Sequence, residues 1–521
     1  MSTLYRLGRI AALSTGAVGI ASVIRYNKVM ERQKQWPSNE VALPNSNFDV
    51  IIIGGGVVGI ATAYTCAQKG QKVLVIEPNS VAGKECTSCA AGGMQRSNPV
   101  VDRKTWLAVL KSSFGQGYQF FHMDWLSTLT DPFFLRWIFT FSTTSLLPGP
   151  DQEKKQEEML KFTQYAVDEL VKFMNRHMAK ATGYNATGSL SLSYDPPPSE
   201  TEMGTSVKNP AIGKADHEPS RTLKSTDEIL KIEPSLRFQE NPPQTAQYQY
   251  KSAAASAERY TLELEKACAR HRNVTLLYNT RVHGLSTNLL PPGEEDTGEG
   301  KRHISTIHTT AGVISVSPQT QVLAAVGAWL PHLLATCDLY APVYPLKGYA
   351  MSLSASNILK QSSLRPSDLP SRVVADAFMF TSRLGDEIRI TSIGEFSGWS
   401  TRPTPWVDEE FRREAARQFP QLADYLPDTE TRCGHRPYVN DGIVLMGRCS
   451  EVSNLLVSCG PGSNGWKMAM GSAAVIQGLT AGKSEEELSK ELGFDVKAFA
   501  PTNRLILSPW FAKLCRARWN V

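Results

Sequence analysis

"FDVIIIGGGVVGIATAY", residues 48–64, decides how the folded part of the chain begins. Asp49–Ile53 is a short apolar run rich in β-branched residues, which predicts a parallel strand buried on both faces. Gly54, Gly56 and Gly59 follow in the spacing G-x-G-x-x-G. Val57 to Gln68 then reads as a helix ending near Gly70, and Lys72–Ile76 is a second apolar strand with Glu77 at its end. Strand, glycines, helix, strand and acid in that order predict a dinucleotide-binding βαβ unit. Gly54 permits the tight turn, Gly56 lets the backbone approach a pyrophosphate, and Gly59 lets helix and strand pack closely. Free N–H groups and the dipole at the helix start favour the diphosphate. Glu77, about 20 residues beyond the glycines, is placed to accept hydrogen bonds from a ribose hydroxyl. The unit alone leaves FAD and NAD open.

The next loop, "CTSCAAGGMQRSNP" (86–99), favours a flavin. Its small residues, Thr87, Ser88, Gly92 and Gly93 among them, can pass close to a second part of a long dinucleotide. Cys86 and Cys89 form a C-x-x-C, but no second pair stands at zinc-site spacing. Two thiols in a loop is the plainer reading, and no metal site is expected.

Composition bounds the rest. The chain has 521 residues, enough for two or more domains, and 41% hydrophobic with 20% charged residues indicates a globular protein. A net charge of +5, with both signs mixed along the chain, leaves no stripe for nucleic acid. Nine cysteines, an odd number, argue against a complete disulfide framework. The N-terminus differs in character. An apolar run, Ile10–Ile24, is flanked by Arg6, Arg9, Arg25, Lys28, Arg32 and Lys34, and no acid precedes Glu31. The run is shorter than the ~20 residues of a spanning helix. It points to an organelle presequence, mitochondrial by preference, with a membrane anchor as the second reading and an unstructured tail as the third.

Further along, residues 104–180 show helical periodicity. "DPFFLRWIFTF" (131–141) reads as a core stripe before it reads as a membrane or quinone contact. Residues 195–222 read as a loop, 225–236 as a capped short helix, 253–271 as a helix and 274–280 as a strand. Residues 289–301 read as a polar insertion. "QVLAAVGAWL" (321–330) is a buried strand running into Gly327 and a helix, and 341–400 alternates with period two, which predicts antiparallel sheet. "NLLVS" (454–458) is a strand followed by Gly460, Gly462 and Gly465, with a helix from near Trp466.

Together these segments resemble the D-amino-acid oxidase superfamily of flavoproteins, most closely the bacterial D-amino-acid dehydrogenase subgroup. The likeness runs from near Phe48 to near Arg504. Beyond the first glycine loop it rests on "TSCAAGG" (87–93), "AAVGAW" (324–329), "VYPLKGYAM" (343–351), "GHRPYVNDG" (434–442) and "CGPGSNGWKMAMGS" (459–472). The resemblance implies an α/β plus α+β fold. A Rossmann-like FAD-binding domain is assembled from residues 47–125, 249–342 and 430–500. A substrate domain of mixed, mostly antiparallel sheet is inserted as residues 126–248 and 343–429. Residues 1–46 are then a targeting or anchor segment with a linker, and 501–521 a tail.

The resemblance implies non-covalent FAD held along Gly54, Gly56, Val57, Val58, Gly59, Glu77, Thr87, Ser88, Gly92, Gly93, Met94, Val282, Gly327, Trp329, Gly460, Gly462, Ser463, Asn464, Gly465 and Trp466. The helix from near Trp466 would aim its N-terminus at the flavin pyrimidine. Arg436 matches the family's carboxylate-binding arginine, and a planar double donor suits that task. Tyr349, with Lys347 nearby, is the candidate substrate-side hydroxyl. His435 is expected to be structural. Some family oxidases place a tyrosine where "DAFMFTSR" (376–383) has Met379 and Phe380, which departs from the pattern. Cys433 stands near the cysteine that tethers flavin in sarcosine-oxidase-like relatives, but out of register. The activity implied is dehydrogenation of an amine or amino acid, a D-amino acid first, with electrons passed to a quinone or other carrier. An oxygen-using amino-acid or sarcosine-type oxidase is one alternative, and a flavoprotein assembly factor without turnover is the other.

Overall fold

A computed structural model of the protein describes residues 47–96, 107, 121–146, 150–194, 220–289, 302–376, 379–460, 462–502 and 504–507. The expectations for residues 1–46, most of 104–120, 195–219, 290–301 and 508–521 lie outside these residues.

The expected βαβ start is present as β1 (Val50–Ile53), α1 (Val57–Gln68) and β2 (Val73–Ile76). The chain continues through α2 (Pro132–Leu146), α3 (Pro150–Phe173), β3 (Ser189–Ser193), β4 (Thr245–Gln249), α4 (Ala257–Ala269), β5 (Val274–Leu277) and β6 (Gln321–Ala324). It then forms β7 (Val343–Ser354), β8 (Val373–Ala375), β9 (Met379–Leu384), β10 (Glu387–Phe396) and α5 (Pro405–Gln418). Last come β11 (Arg432–Val439), β12 (Leu445–Arg448), β13 (Leu455–Cys459) and α6 (Gly465–Thr480).

The first sheet has six strands in the order β12-β13-β6-β1-β2-β5, parallel except for the β12/β13 pair. All residues of β1 and β2 are buried, as a sheet covered on both faces requires. Alternation divides them between two cores. Val50, Ile52, Val73 and Val75 pack with side chains of α1, α3, α4 and α6. Ile51, Ile53, Leu74 and Ile76 pack on the other face with Leu285, Ile304 and Ile307. At roughly 1.5–3 kcal/mol for each buried Val or Ile side chain, these two strands fix the sheet centre and the turn that leaves it.

The second sheet has nine strands, ordered β11-β7-β10-β9-β8-β3-β4 and then Ser220–Leu223, with Phe121–Met123 added along β10. It is antiparallel except where β8 meets β3 and where Phe121–Met123 meets β10. The fold is therefore the expected α/β plus α+β arrangement, a Rossmann-like, mostly parallel sheet together with a mixed, mostly antiparallel one. Ser220–Leu223 is an edge strand, not loop, because its backbone pairs with β4.

Two segments sit differently from the expected division. Helix α3, assigned to the substrate part, buries Met159, Phe162, Ala166, Val167 and Leu170 in the core of the six-stranded sheet. Strand β11, assigned to the FAD part, is the edge of the nine-stranded sheet. In α2, Phe133, Phe134, Trp137 and Phe141 form the core stripe, while Phe139 is 68% exposed on the outer face. Among the described residues no helix is long and apolar enough to cross a membrane.

Candidate active site

Strand β1 ends in a turn that only glycine permits. Gly54 has φ +109°, and a Cβ there would lie 2.5 Å from the Ala325 carbonyl oxygen. A Cβ on Gly59 would collide with the Gly54 carbonyl oxygen, which closes helix against strand. At Gly56 a Cβ would meet only Thr87 Oγ1, at 3.6 Å, so the space above the helix start is open. No side chain caps α1 at Gly56; the Val57 N–H donates to Thr87 Oγ1 over 3.2 Å. The buried Glu77 carboxylate accepts from the Gly55 N–H at 2.6 Å and from Asn79 Nδ2 at 2.6 Å. Val57 is buried, and Val58 packs on the helix-side core.

The second loop lies beside this turn. Cys86–Cys89 is one turn of 3-10 helix, and Gly92 (φ +83°) closes on Ala255. The Ser88 hydroxyl donates to the Lys84 and Glu85 carbonyls, at 3.1 and 3.0 Å, and is spent inside its own turn. Met94 is 1% exposed and belongs to the core, held through its N–H to Ala253 O. The Val282 side chain is likewise buried, in the other core. These three side chains therefore face away from an open cradle. A Cβ on Gly93 would lie 2.7 Å from the Phe380 ring, so Phe380 abuts this loop, while Met379 points into the substrate-side core.

The third wall comes from two more glycine turns. Gly327 has φ +55° with open space where a Cβ would stand, and the Trp329 ring lies 5.1 Å from that of Trp399, tilted by 32°. Gly460 (φ +80°) presses on Val439, and Gly462 (φ +55°) lies under the Tyr438 ring. Ser463 is exposed, and α6 starts at Gly465 without a side-chain cap. Asn464 Nδ2 is buried without a hydrogen-bond partner among the described residues, and so is Trp466 Nε1. The Trp466 ring packs edge-on against Tyr260 at 5.1 Å. Uncapped helix starts, orphaned donors and positive-φ glycines around open space are what a flavin dinucleotide requires.

Strand register decides what faces this cradle. β11 pairs with β7 so that Leu346 opposes Arg436, Lys347 opposes His435, Gly348 opposes Gly434 and Tyr349 opposes Cys433. Alternation puts Arg436, Gly434 and Gly348 on one face and Lys347, Tyr349, His435 and Cys433 on the other. The contacts agree. The Arg436 guanidinium lies over Gly348, where a Cβ would come within 2.5 Å of it. Gly434 backs onto Cys86 and Cys89. Arg436 donates to Ser392 O at 3.2 Å and has no carboxylate partner among the described residues. Burial lowers its pKa, so the charge is held in poorly solvated surroundings. Tyr438, two residues on, shares that face, and burial raises its hydroxyl pKa.

The placement of Tyr349 corrects the sequence reading. Its hydroxyl donates to Glu395 Oε2 at 2.6 Å and accepts from the Thr404 N–H at 2.9 Å. Lys347 Nζ pairs with the same Glu395 oxygen at 2.8 Å and donates to Arg402 O at 3.0 Å. Both side chains thus anchor the 400–404 loop on the face away from Arg436. His435 donates from Nε2 to Ser400 O at 3.1 Å in the same region, and burial lowers its pKa to about 4. Burial pushes the Cys433 thiol up to about 12. Sequence reasoning overlooked Tyr438, although its i+2 spacing from Arg436 on a strand marks the shared face.

A protein-family profile described as DAO, FAD dependent oxidoreductase, matches residues 49–479. The chain belongs to this family. Its cofactor is FAD. A D-amino acid dehydrogenase of Granulibacter bethesdensis is 25% identical over 456 residues, covering 83% of this chain and 96% of that protein. Another, from Dechloromonas aromatica, is 25% identical and covers 84% and 98%. Among solved structures, glycine oxidase from Geobacillus kaustophilus superposes with a TM-score of 0.57 at 19% identity, over 88% of this chain and 98% of that one. L-proline dehydrogenase from P. horikoshii gives 0.55 at 18% identity, over 86% and 96%, and shares the fold. These matches correct the mitochondrial expectation drawn from the leader. The relatives are bacterial proteins, from organisms without that organelle.

Proposed function

We propose that this FAD-dependent oxidoreductase dehydrogenates the Cα–N bond of an amino acid, a D-amino acid by preference, and passes the electrons to a quinone or other carrier. The observation that carries the proposal is the partly buried, poorly solvated Arg436 guanidinium, which lies over Gly348 and lacks a carboxylate of its own among the described residues. A buried cation costs several kcal/mol unless something pairs with it. A substrate carboxylate is the natural partner, bound by two parallel charge-assisted hydrogen bonds. The names of the curated relatives support amino-acid chemistry.

Bound FAD would supply the two-electron acceptor for the hydride that leaves Cα. The protein's task is orientation. Gly348 lets the guanidinium approach without a side chain between, and Ser392 O holds one of its N–H groups. With the carboxylate pinned by Arg436, Cα would be held in one orientation toward the cofactor cradle, where proximity lowers the barrier. Tyr438 is the hydroxyl on that face in our reading, in place of Tyr349. His435, neutral and on the opposite face, is not a base for the substrate amine. The uncapped start of α6 and the buried Asn464 Nδ2 would hold the charge that builds on the cofactor. In this reading FAD would be held without a covalent bond, and the Cys433 thiol, on the strand face away from Arg436, is not a tether for it. Residues 47–125, 249–342 and 430–500 form the cofactor part in this reading, with α3 joined to it and β11 joined to the substrate part.

Anaerobic mixing of the yellow holoenzyme with D- and L-amino acids and N-methylglycine tests the proposal. Flavin bleaching by one class supports it, and a flavin that stays oxidised with all of them ends it.

A further inference from the structure

Arg389 is one of the largest fully buried side chains, 2% exposed, and none of the chemistry above uses it. It stands on β10, opposite Ser352 of β7 and Ser382 of β9. Its Nη1 donates to two carbonyls of the second cofactor loop, Ser88 O at 2.6 Å and Ala90 O at 3.2 Å. Its Nε and Nη2 hold Glu387 Oε1 at 2.7 and 2.6 Å. Glu387 is tied in turn to Arg259 of α4 and to the Ser352 hydroxyl. The fork is thereby fixed from behind while its other end grips the loop.

The adjoining carbonyls are captured too. Ser382 Oγ donates to Ala91 O at 2.7 Å, and the Ala255 N–H donates to Gly92 O at 2.9 Å. Four peptide carbonyls, at residues 88, 90, 91 and 92, are thus pulled toward the nine-stranded sheet and α4. The same loop carries Thr87, whose hydroxyl meets the first N–H of α1. One buried cation on the substrate sheet therefore sets the geometry of a loop that walls the cofactor cradle.

We propose that Arg389 is a positioning residue for FAD: its guanidinium fixes the Thr87–Gly92 loop in the conformation that receives the cofactor. A plain buried salt bridge to Glu387 would satisfy the charge without touching the loop. The two carbonyl bonds are what the salt bridge alone does not explain. Arginine is needed because one end must bind a carboxylate while the other spans two backbone oxygens, which lysine's single ammonium cannot do.

The test reads flavin binding without substrate, so it stands apart from the amino-acid reading. The full chain is stripped of flavin and titrated with FAD, and the visible circular dichroism of the bound flavin is recorded. Arg389→Met should weaken FAD binding by about tenfold or more, the scale of one or two lost charge-assisted hydrogen bonds, and alter the dichroism. Arg389→Lys should regain part of the affinity. Phe411→Leu, in the substrate-side core, should lower thermal stability and leave FAD affinity within twofold. If Arg389→Met yields no folded protein, Arg389→Lys, which keeps the charge but not the fork that spans Ser88 O and Ala90 O, should still weaken FAD binding about threefold. An Arg389→Met protein that binds FAD within twofold of the parent, with unchanged dichroism, overturns the proposal whatever its melting temperature. Unchanged affinity in Arg389→Lys, where the first variant does not fold, overturns it equally.

Discussion

Replacing Arg436 with methionine separates binding energy from folding energy. The side chain keeps its length, and the guanidinium is lost from a site where burial already disfavours its charge. One donor is engaged by Ser392 O, and among the described residues the others have no hydrogen-bond partner and can meet a ligand. Two charge-assisted bonds to a carboxylate, at about 1.5–3 kcal/mol each with part of that cost recovered from water, give a loss of about 3–4 kcal/mol. At about 1.4 kcal/mol per decade, kcat/KM should fall by roughly 150- to 700-fold. The carboxylate is bound in ground state and transition state alike, so KM should take most of the change. Lost orientation of Cα should lower kcat by about tenfold, the smaller share of the change. Folding responds in the other sense. A poorly solvated cation with no carboxylate partner among the described residues opposes folding, so the flavin-free variant should melt no lower than the parent. Steady-state kinetics with an artificial electron acceptor, beside thermal melts of the flavin-free chains, read both effects. A variant that keeps its FAD and holds kcat/KM within threefold of the parent would refute the argument.

Tyr349→Phe leaves the Thr404 N–H without its acceptor and should cost about 1–3 kcal/mol of stability in denaturant melts, with kcat/KM changed less than about twofold. A large kinetic effect would return the tyrosine to the substrate pocket. His435 is held neutral, with its pKa near 4 against an ordinary 6.5. The unfolded chain takes up this proton below its ordinary value while the folded chain does not until the lower one. Stability should therefore fall by about 2 kcal/mol between about pH 7.5 and about pH 5 on account of this residue. Urea melts of His435→Gln should show a pH-dependent loss smaller by that amount, and an identical loss would remove His435 from the account.

The βαβ unit was legible because each signal is local: a buried strand, glycines at fixed offsets, a helix and a closing acid. The antiparallel character after residue 340 was legible from alternation alone. Side-chain direction was not. Whether Tyr349 and Arg436 share a face depends on the pairing of β7 with β11, residues far apart in sequence, and "VYPLKGYAM" carries no mark of it. Ser88 and Met94 stand in a glycine-rich loop, yet the turn claims one side chain and the core the other. Helix α3 shows its inward stripe at Met159, Phe162, Ala166 and Leu170, but periodicity does not say which sheet it covers. Arg389 in "EIRITS" reads as an ordinary strand residue, and the i−2 spacing of Glu387 on the same face was the available clue.

The central claim is that Arg436 holds a carboxylate beside the flavin. Anaerobic bleaching rates for an amino acid and for the amine left by removing its carboxylate test it most directly. The account predicts that the amino acid reduces the flavin at least a hundredfold more efficiently, about the ~3 kcal/mol assigned to that contact. An amine that bleaches the flavin as readily as its parent acid would contradict it.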